Sequence, residues 1–381
     1  MKRILTITLC LLASGGALFA QSRLDAVAPK DARTMAMGGA FVAMSEGYQS
    51  FYGNPATFAQ KEKELTLLSM TPWAYVSPTT ENIARFSEIA SAMSSGDSTA
   101  MIDPLNDLIV DNGFGMGMSV GTGWIGKGLG LGLIGSGEVY VSGNNLLGAT
   151  GTIDGQIAGV VGIGVPLHLG KLTINVGGDV RPYLRMTGDI DGSDLLGMMD
   201  GTSDLMATDV NVGFGLAVDL GARVDLGKMF SVGVAVRDIS TRQTYTESTI
   251  GDVLTSGDLP TGNQVEYPVY PNVTIGASVS PIPESLKPVI DVTVIAEIQD
   301  PVKVIQDNLS VWNLFHVGAE AEMLGGLFAL RAGLNKGWIS MGAGLDLLAF
   351  EFNVAVFTEE LGPRPGDDPR TGISAEVAIR F

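Results

Sequence analysis

Thr371-Gly372-Ile373-Ser374-Ala375-Glu376-Val377-Ala378-Ile379-Arg380-Phe381 closes the chain. Ile373, Ala375, Val377, Ile379 and Phe381 take every second position, and Gly372, Ser374, Glu376, Ala378 and Arg380 fill the places between. Successive side chains of a strand point to opposite faces, so this stretch reads as a strand with one apolar and one mainly polar face. The same period recurs upstream. Val210, Val212, Phe214, Leu216, Val218 and Leu220 oppose Asp209, Asn211 and Asp219, and Phe350, Phe352 and Val354 oppose Glu351 and Asn353. Charges confined to one face, strand after strand, predict a wet interior and an apolar exterior.

Fourteen such segments can be counted: 64–76, 112–122, 127–141, 150–165, 170–188, 205–221, 228–239, 264–280, 287–298, 311–324, 326–334, 336–347, 348–358 and 369–381. An even number suits a closed antiparallel barrel, because closure removes the unpaired edges that hydrocarbon cannot solvate. The expected fold is therefore an all-β transmembrane barrel of about 14 antiparallel strands. Some connections are tight, such as Leu324-Gly325-Gly326 and Asn335-Lys336-Gly337; others, 189–204, 240–263 and 359–370, are long and polar. Glu81 to Ser94 and Ile102 to Asp111, rich in Ala, Ile, Leu and acidic residues, predict a helical insertion at about 81–111 within a barrel domain of 63–381.

Composition agrees with a barrel. Mean hydropathy is positive at +0.28, yet beyond the N-terminus no run of 18 uncharged apolar residues occurs. Such a chain hides its apolar residues in alternation. Glycine, at 51 of 381 residues, is about twice as frequent as usual. Met1-Lys2-Arg3, the apolar run Ile4 to Phe19 and Ala20-Gln21 have the basic head, apolar middle and small-residue end of a secretory signal peptide, 1–20, with cleavage expected after Ala20. Cys10, the only cysteine, falls inside it. The net charge of −18 argues against nucleic acid, which basic patches bind. Enzyme signatures are scarce. The two histidines, His168 and His316, stand in no metal-ligand spacing, and no Gly-x-Ser-x-Gly elbow is present, so no catalytic residue, metal or cofactor is expected.

The Phe-terminated last strand resembles the C-terminal strand of bacterial outer-membrane proteins, which implies recognition of Phe381 by the barrel-assembly machinery. Residues 21–62 do not alternate. They contain Ala32-Arg33-Thr34-Met35-Ala36-Met37-Gly38-Gly39-Ala40-Phe41-Val42-Ala43 and Ser50-Phe51-Tyr52-Gly53-Asn54-Pro55-Ala56. Met37 to Ala43 and Asn54-Pro55-Ala56 resemble the start of the outer-membrane fatty-acid transporter family typified by FadL, with its relative PorV. Thr57 stands where many relatives have Gly, and the usual acidic pair is reduced to Ser45-Glu46.

The resemblance implies that 21–62 folds inside the barrel as a hatch or plug. Met37, Gly38, Gly39, Phe41, Phe51, Tyr52, Asn54 and Pro55 would then lie along the substrate path. Small residues suit tight packing against a wall, and Met35, Met37, Phe41, Phe51 and Tyr52 are costly to leave in water. Arg181, Arg185, Glu320 and Glu322 are expected among the lumen charges. The glycines from Gly128 to Gly137 suggest a kinked third strand and a lateral opening, as in that family. The implied function is outer-membrane transport of hydrophobic small molecules such as long-chain fatty acids, with membrane lipids and a hydrophobic ligand as partners. A non-transporting scaffold that docks partner proteins and a diffusion porin are the alternatives.

Overall fold

The computed structural model describes residues 29–381 apart from 61–62, 98, 171, 201–204, 240 and 257–263. The expected signal peptide and cleavage site, Cys10 and residues 21–28 lie outside the described residues.

The first half of the sheet is β1 (Glu64–Tyr75), β2 (Phe114–Gly126), β3 (Leu129–Ser142), β4 (Thr150–Leu169), β5 (Leu172–Asp191), β6 (Asp209–Leu226), β7 (Phe230–Arg237) and β8 (Arg242–Thr249). The second half is β9 (Val265–Pro268), β10 (Asn272–Val279), β11 (Ile290–Gln299), β12 (Phe315–Met323), β13 (Phe328–Asn335), β14 (Trp338–Leu347), β15 (Phe350–Glu360) and β16 (Pro369–Arg380). All pair antiparallel. β1 joins β16, and β5 joins β6, so the sheet closes on itself.

Fourteen positions make up the perimeter, because two of them hold two short strands laid end to end. β6 pairs with β7 through Leu220–Leu226 and with β8 through Asp209–Gly215. Facing them, β10 pairs with β7 and β9 with β8. The break after β7 falls at Asp238, whose φ of 56° turns the chain. The Ile239 amide still reaches the Val218 carbonyl at 3.1 Å, so the wall stays bonded there.

Several sequence expectations need correction. The segment 240–263 is not simply a loop: it holds β8 and helix α5 (Ile250–Ser256). The strand expected over 264–280 is two strands. The loop expected at 189–204 begins as the end of β5 and continues as helix α4 (Gly192–Asp200). The kink expected between Gly128 and Gly137 is absent. From Leu129 on, β3 pairs without interruption with both β2 and β4.

Outward side chains are apolar over a continuous band: Leu129, Leu131 and Leu133 on β3, Phe214 and Leu216 on β6, Leu330 on β13, and Phe352 and Val354 on β15 are all exposed. Phe230, Phe328, Phe350 and Phe381 stand exposed at strand ends on one rim, where the turns are short. An apolar belt edged by aromatic residues on a closed barrel is the form that spans an outer membrane, with short turns toward the periplasm. β1 leaves the N-terminal segment at that periplasmic rim.

On the other rim, helices α2 (Thr80–Ser95) and α3 (Thr99–Asn112) join α4 and α5 in a collar. Their apolar faces pack on the outside of the wall. Ile89, Leu105, Leu108, Ile109 and Ile250 form one buried cluster with outward-facing Val141, Ile153, Ile190, Val210 and Val212.

Candidate functional site

Residues 29–60 touch inward-facing groups at every perimeter position. They begin with helix α1 (Ala32–Ala36) and include short 3-10 turns at Gly47–Phe51 and Pro55–Ala59. Asn54 and Pro55 start the second turn as its cap and first residue: the Asn54 side-chain oxygen accepts the Ala56 amide at 3.0 Å, and Pro55 has no amide to satisfy.

Wall glycines set how closely the segment can approach. A Cβ added at Gly130 would lie 2.3 Å from the Phe58 ring, and one at Gly162 would lie 2.1 Å from it. Phe58 is therefore clasped between β3 and β4. The Phe51 ring leaves 2.4 Å at Gly123 and 2.9 Å at Gly132. The Pro55 carbonyl is 2.1 Å from the Cβ position of Gly177, and Asn54 is 2.0 Å from that of Gly221. On the far wall, backbone meets backbone: the Gly38 amide is 2.2 Å from the Cβ position of Gly333, and Met37 packs against Gly318. Gly130 and Gly132 thus serve as seats for two aromatic rings, a role that a kinked strand does not explain.

Polar contacts fix the segment between these seats. Arg33 lays its guanidinium across Glu320, with Nε donating at 2.9 Å and Nη2 at 2.6 Å. Two parallel charged hydrogen bonds of this kind are among the strongest neutral-pH contacts a protein makes. Glu320 also accepts from Arg331, which donates to Asn353 at 2.7 Å; Asn353 donates to Glu376 at 3.0 Å, and Glu376 accepts from Arg380 at 2.7 Å. A charge ladder thus runs across β12, β13, β15 and β16, with Arg33 docked on its end. Elsewhere Glu297 accepts the Phe41 amide at 3.0 Å and also the Val42 amide. The Gly39 carbonyl accepts from Gln299 at 2.7 Å, and the Phe51 carbonyl from Arg237 at 3.1 Å. Asn54 donates to the Val42 and Ala222 carbonyls at 3.1 and 3.2 Å. Gly38 places its carbonyl 2.8 Å from His316 Nδ1.

Asp31 is the internal knot. It caps α1, and its Oδ2 accepts from Thr34 at 2.7 Å, Gln49 at 2.6 Å and Tyr52 at 3.1 Å, so one carboxylate ties the two ends of the segment together. Burial alone would raise its pKa, but the hydrogen bonds from Thr34 and Gln49 and the charge of Arg380 outweigh this and hold it below the ordinary carboxylate value. The sequence motif did not single out Asp31. A cap-type residue three places before Thr34, ahead of a run of small residues, was the available signal.

Of the other charges expected in the lumen, Arg181 is buried against Asp219 at 3.3 Å and Asp238 at 2.8 Å, which pins the break between β7 and β8. Arg185 pairs with Asp154 at 2.9 Å. Glu322 lies beside Asp291 of β11 in register, below Glu320 on β12. The aromatic members of the site divide between two places. Phe41, Tyr48, Phe51, Tyr52 and Phe58 cluster within the segment. Trp73, Tyr75, Tyr140 and Phe357 of the wall surround Met35 above it. Arg370 lies over the Tyr75 ring at 4.0 Å and the Tyr140 ring at 4.8 Å while pairing with Glu359 at 3.0 Å.

Two polar cavities flank the segment. The extracellular one, about 590 Å³, is lined by Lys30, Trp73, Glu138, Lys336, Glu359 and Arg370 among others. The periplasmic one, about 800 Å³, includes Asp31, Glu64, His168, Arg223 and Arg380. Among the described residues no cluster of His, Cys, Asp and Glu has a metal-binding arrangement.

No protein-family model matches the sequence, and no curated protein matches it. Solved structures do. The chain is similar to the CymD monoaromatic hydrocarbon channel with a TM-score of 0.50 and 13% identity, over 92% of this chain and 96% of that one. It is also similar to the toluene transporter TbuX of Ralstonia pickettii, at 0.49 and 11%, over 95% and 99% of the two chains. A Pseudomonas aeruginosa FadL homologue aligns at 0.47 and 10%, over 93% and 98%. The likeness to CymD shows a shared barrel fold over nearly the whole chain.

Proposed function

We propose that the chain carries small hydrophobic molecules, long-chain fatty acids or aromatic hydrocarbons, across the bacterial outer membrane, with residues 29–60 as the hatch that closes the path. One observation carries this reading: the segment meets all fourteen perimeter positions and stands between two cavities. At its start the adjacent residues Lys30 and Asp31 line different cavities. Displacing α1 would join them. The clusters around Met35, around Phe51 and around Met37 are apolar stations among the charges of the lumen, and they suit a ligand without charge or with a single polar end. CymD is described as a monoaromatic hydrocarbon channel, which supports the same substrate class. A filled lumen disfavours a general diffusion porin. No step requires a cofactor or catalysis, and we propose that Phe381, exposed at the periplasmic rim, is what the assembly machinery recognises.

The test is uptake by cells that lack their own transporter of this kind. Expression of the chain should raise uptake of labelled oleate, labelled toluene or both. Arg33→Cys with Glu320→Cys, joined by a cleavable bifunctional thiol reagent, should block that uptake, and cleavage should restore it. Uptake no higher than with an unrelated barrel, or unchanged by the cross-link, overturns the reading.

A further inference from the structure

The outer wall carries an apolar groove that neither the hatch nor the lumen uses. It lies under the collar helix α2, has a volume of about 560 Å³, and opens outward. Its floor is formed by outward-facing Pro72 of β1 and Ile373 and Ala375 of β16; its roof is formed by Ile83, Phe86 and Ala90 of α2.

Three features shape it. Pro72 lacks an amide and stands between the Met70–Val377 and Trp73–Ser374 pairs of the β1–β16 ladder, with its ring on the outer face. Ala375 and Ala90 are small and leave the space open. The one amide at the edge, Asn82, is fully engaged: it donates to Asp111 at 2.8 Å and to the Ser77 carbonyl at 3.3 Å, and accepts from Arg85 at 2.7 Å. The groove therefore offers shape and hydrocarbon, and its lining holds no charged side chain; the exposed Ser87 hydroxyl stands at its edge.

The floor is continuous with the lipid-facing belt. Below Pro72 on β1 stand exposed Leu68, Leu67 and Leu65, and below Ala375 on β16 come outward-facing Val377 and Ile379. The collar above also presents apolar side chains outward: Ile83 is 60% exposed, Val110 52% and Leu147 73%. Amphipathic helices with such residues lie at the boundary between headgroups and acyl chains. A volume of this size is within the range of sites that enclose a small ligand.

We propose that the groove seats one acyl chain of an outer-leaflet membrane lipid beneath α2, fastening the collar to the membrane. This rests on the outer-membrane reading of the barrel. The full chain would be placed in phosphatidylcholine vesicles containing a trace of phosphatidylcholine with a mid-chain diazirine, irradiated, digested and mapped by mass spectrometry. Adducts on residues 82–90 and 373–375 should exceed those on the ordinary belt at 328–334 severalfold. Ala375→Trp from the floor and Ala90→Trp from the roof should each lower the groove yield to the belt level while leaving the belt yield unchanged. Heat-modifiable gel mobility would verify that both variants are folded barrels. Equal labelling of groove and belt, or groove labelling that survives both substitutions, overturns the proposal. Labelling of the groove by a free diazirine fatty acid in detergent, with none from the vesicle lipid, assigns the site to a dissolved ligand and also overturns it. Absence of adducts on the belt itself would instead refute the membrane reading.

Discussion

Replacing Gly162 by alanine should unseat the N-terminal segment from the lumen. The new methyl would sit 2.1 Å from the Phe58 ring, against about 3.5–4.0 Å for a comfortable carbon contact. The ring cannot slide the other way, because the Cβ position of Gly130 is 2.3 Å from its opposite edge. The wall cannot retreat either, since Gly162 is paired with Gly130 in β3 and with Asp179 in β5. Two routes remain. The core can absorb the clash, at about 1–3 kcal/mol, or the fully buried Phe58 can leave, forfeiting about 1.5–3 kcal/mol of burial. These are alternatives, so the cost is that of the cheaper route, about 2 kcal/mol. At 1.4 kcal/mol per factor of ten, the ratio of seated to displaced segment falls about thirtyfold. Conductance through single barrels in a planar bilayer reads that ratio as the frequency of open events. Gly159→Ala, three residues away on the same strand with no atom within 4 Å of the new Cβ, is the matched control and should behave as wild type. Phe58→Ala should itself open the barrel, at about 3–5 kcal/mol, and adding Gly162→Ala to it should cost nothing more, because the clash has lost its partner. If Gly162→Ala opens the barrel no more often than Gly159→Ala, or if its effect adds in full to that of Phe58→Ala, the seating argument is wrong.

Two further outcomes follow from the polar contacts. Arg33→Ala removes both hydrogen bonds to Glu320 and should weaken the segment's hold by about 1.5–3 kcal/mol, read as faster amide exchange over 31–44 with the strand amides unchanged; Arg33→Lys, which lacks the planar fork, should recover only part of this. Asp31→Asn leaves one acceptor oxygen where the carboxylate has two: if that oxygen keeps Thr34, Gln49 and Tyr52, the NH2 group faces the Arg33 amide that Oδ1 accepts at 3.1 Å, so the four donors cannot be satisfied together; a loss of about 1–3 kcal/mol is expected, seen as a lower protease concentration for cleavage within 31–52, and unchanged resistance would contradict the knot.

The barrel was legible because lipid imposes a rule on every strand it touches. Where an outward side chain meets hydrocarbon, as at Phe350, Phe352 and Val354, alternation is clean, and the fourteen perimeter positions could be counted. Above the hydrocarbon the rule lapses. β8 reads Arg242-Gln243-Thr244-Tyr245-Thr246-Glu247-Ser248-Thr249, with polar residues on both faces, so it looked like loop although it pairs fully with β6 through Gly215. Half of the collar was legible, since 81–94 and 102–111 read as helical and form helices at Thr80–Ser95 and Thr99–Asn112; where it packs was hidden for the opposite reason. Val139, Val141, Ile153 and Val210 are as apolar as lipid-facing residues, and sequence does not distinguish a face covered by lipid from one covered by helices.

The glycines show why the site was harder to read than the wall. On β3, Gly135 and Gly137 face outward, where added Cβ atoms would meet only ordinary contacts of 3.4 Å or more. Gly130 and Gly132 face inward, where they meet Phe58 and Phe51 at under 3.0 Å. In sequence the four are one run and suggest one cause, a bend. In the fold they divide by parity, and the inward pair has meaning only together with rings some 70 to 80 positions earlier in the chain. The information that shapes the seat is thus carried jointly by residues that are small in the wall and large in the segment. Either half alone looks like ordinary strand glycine or ordinary buried phenylalanine. A chain of this fold that lost its lumen-facing glycines while keeping Phe51 and Phe58 could not close in this way, whatever its strand count.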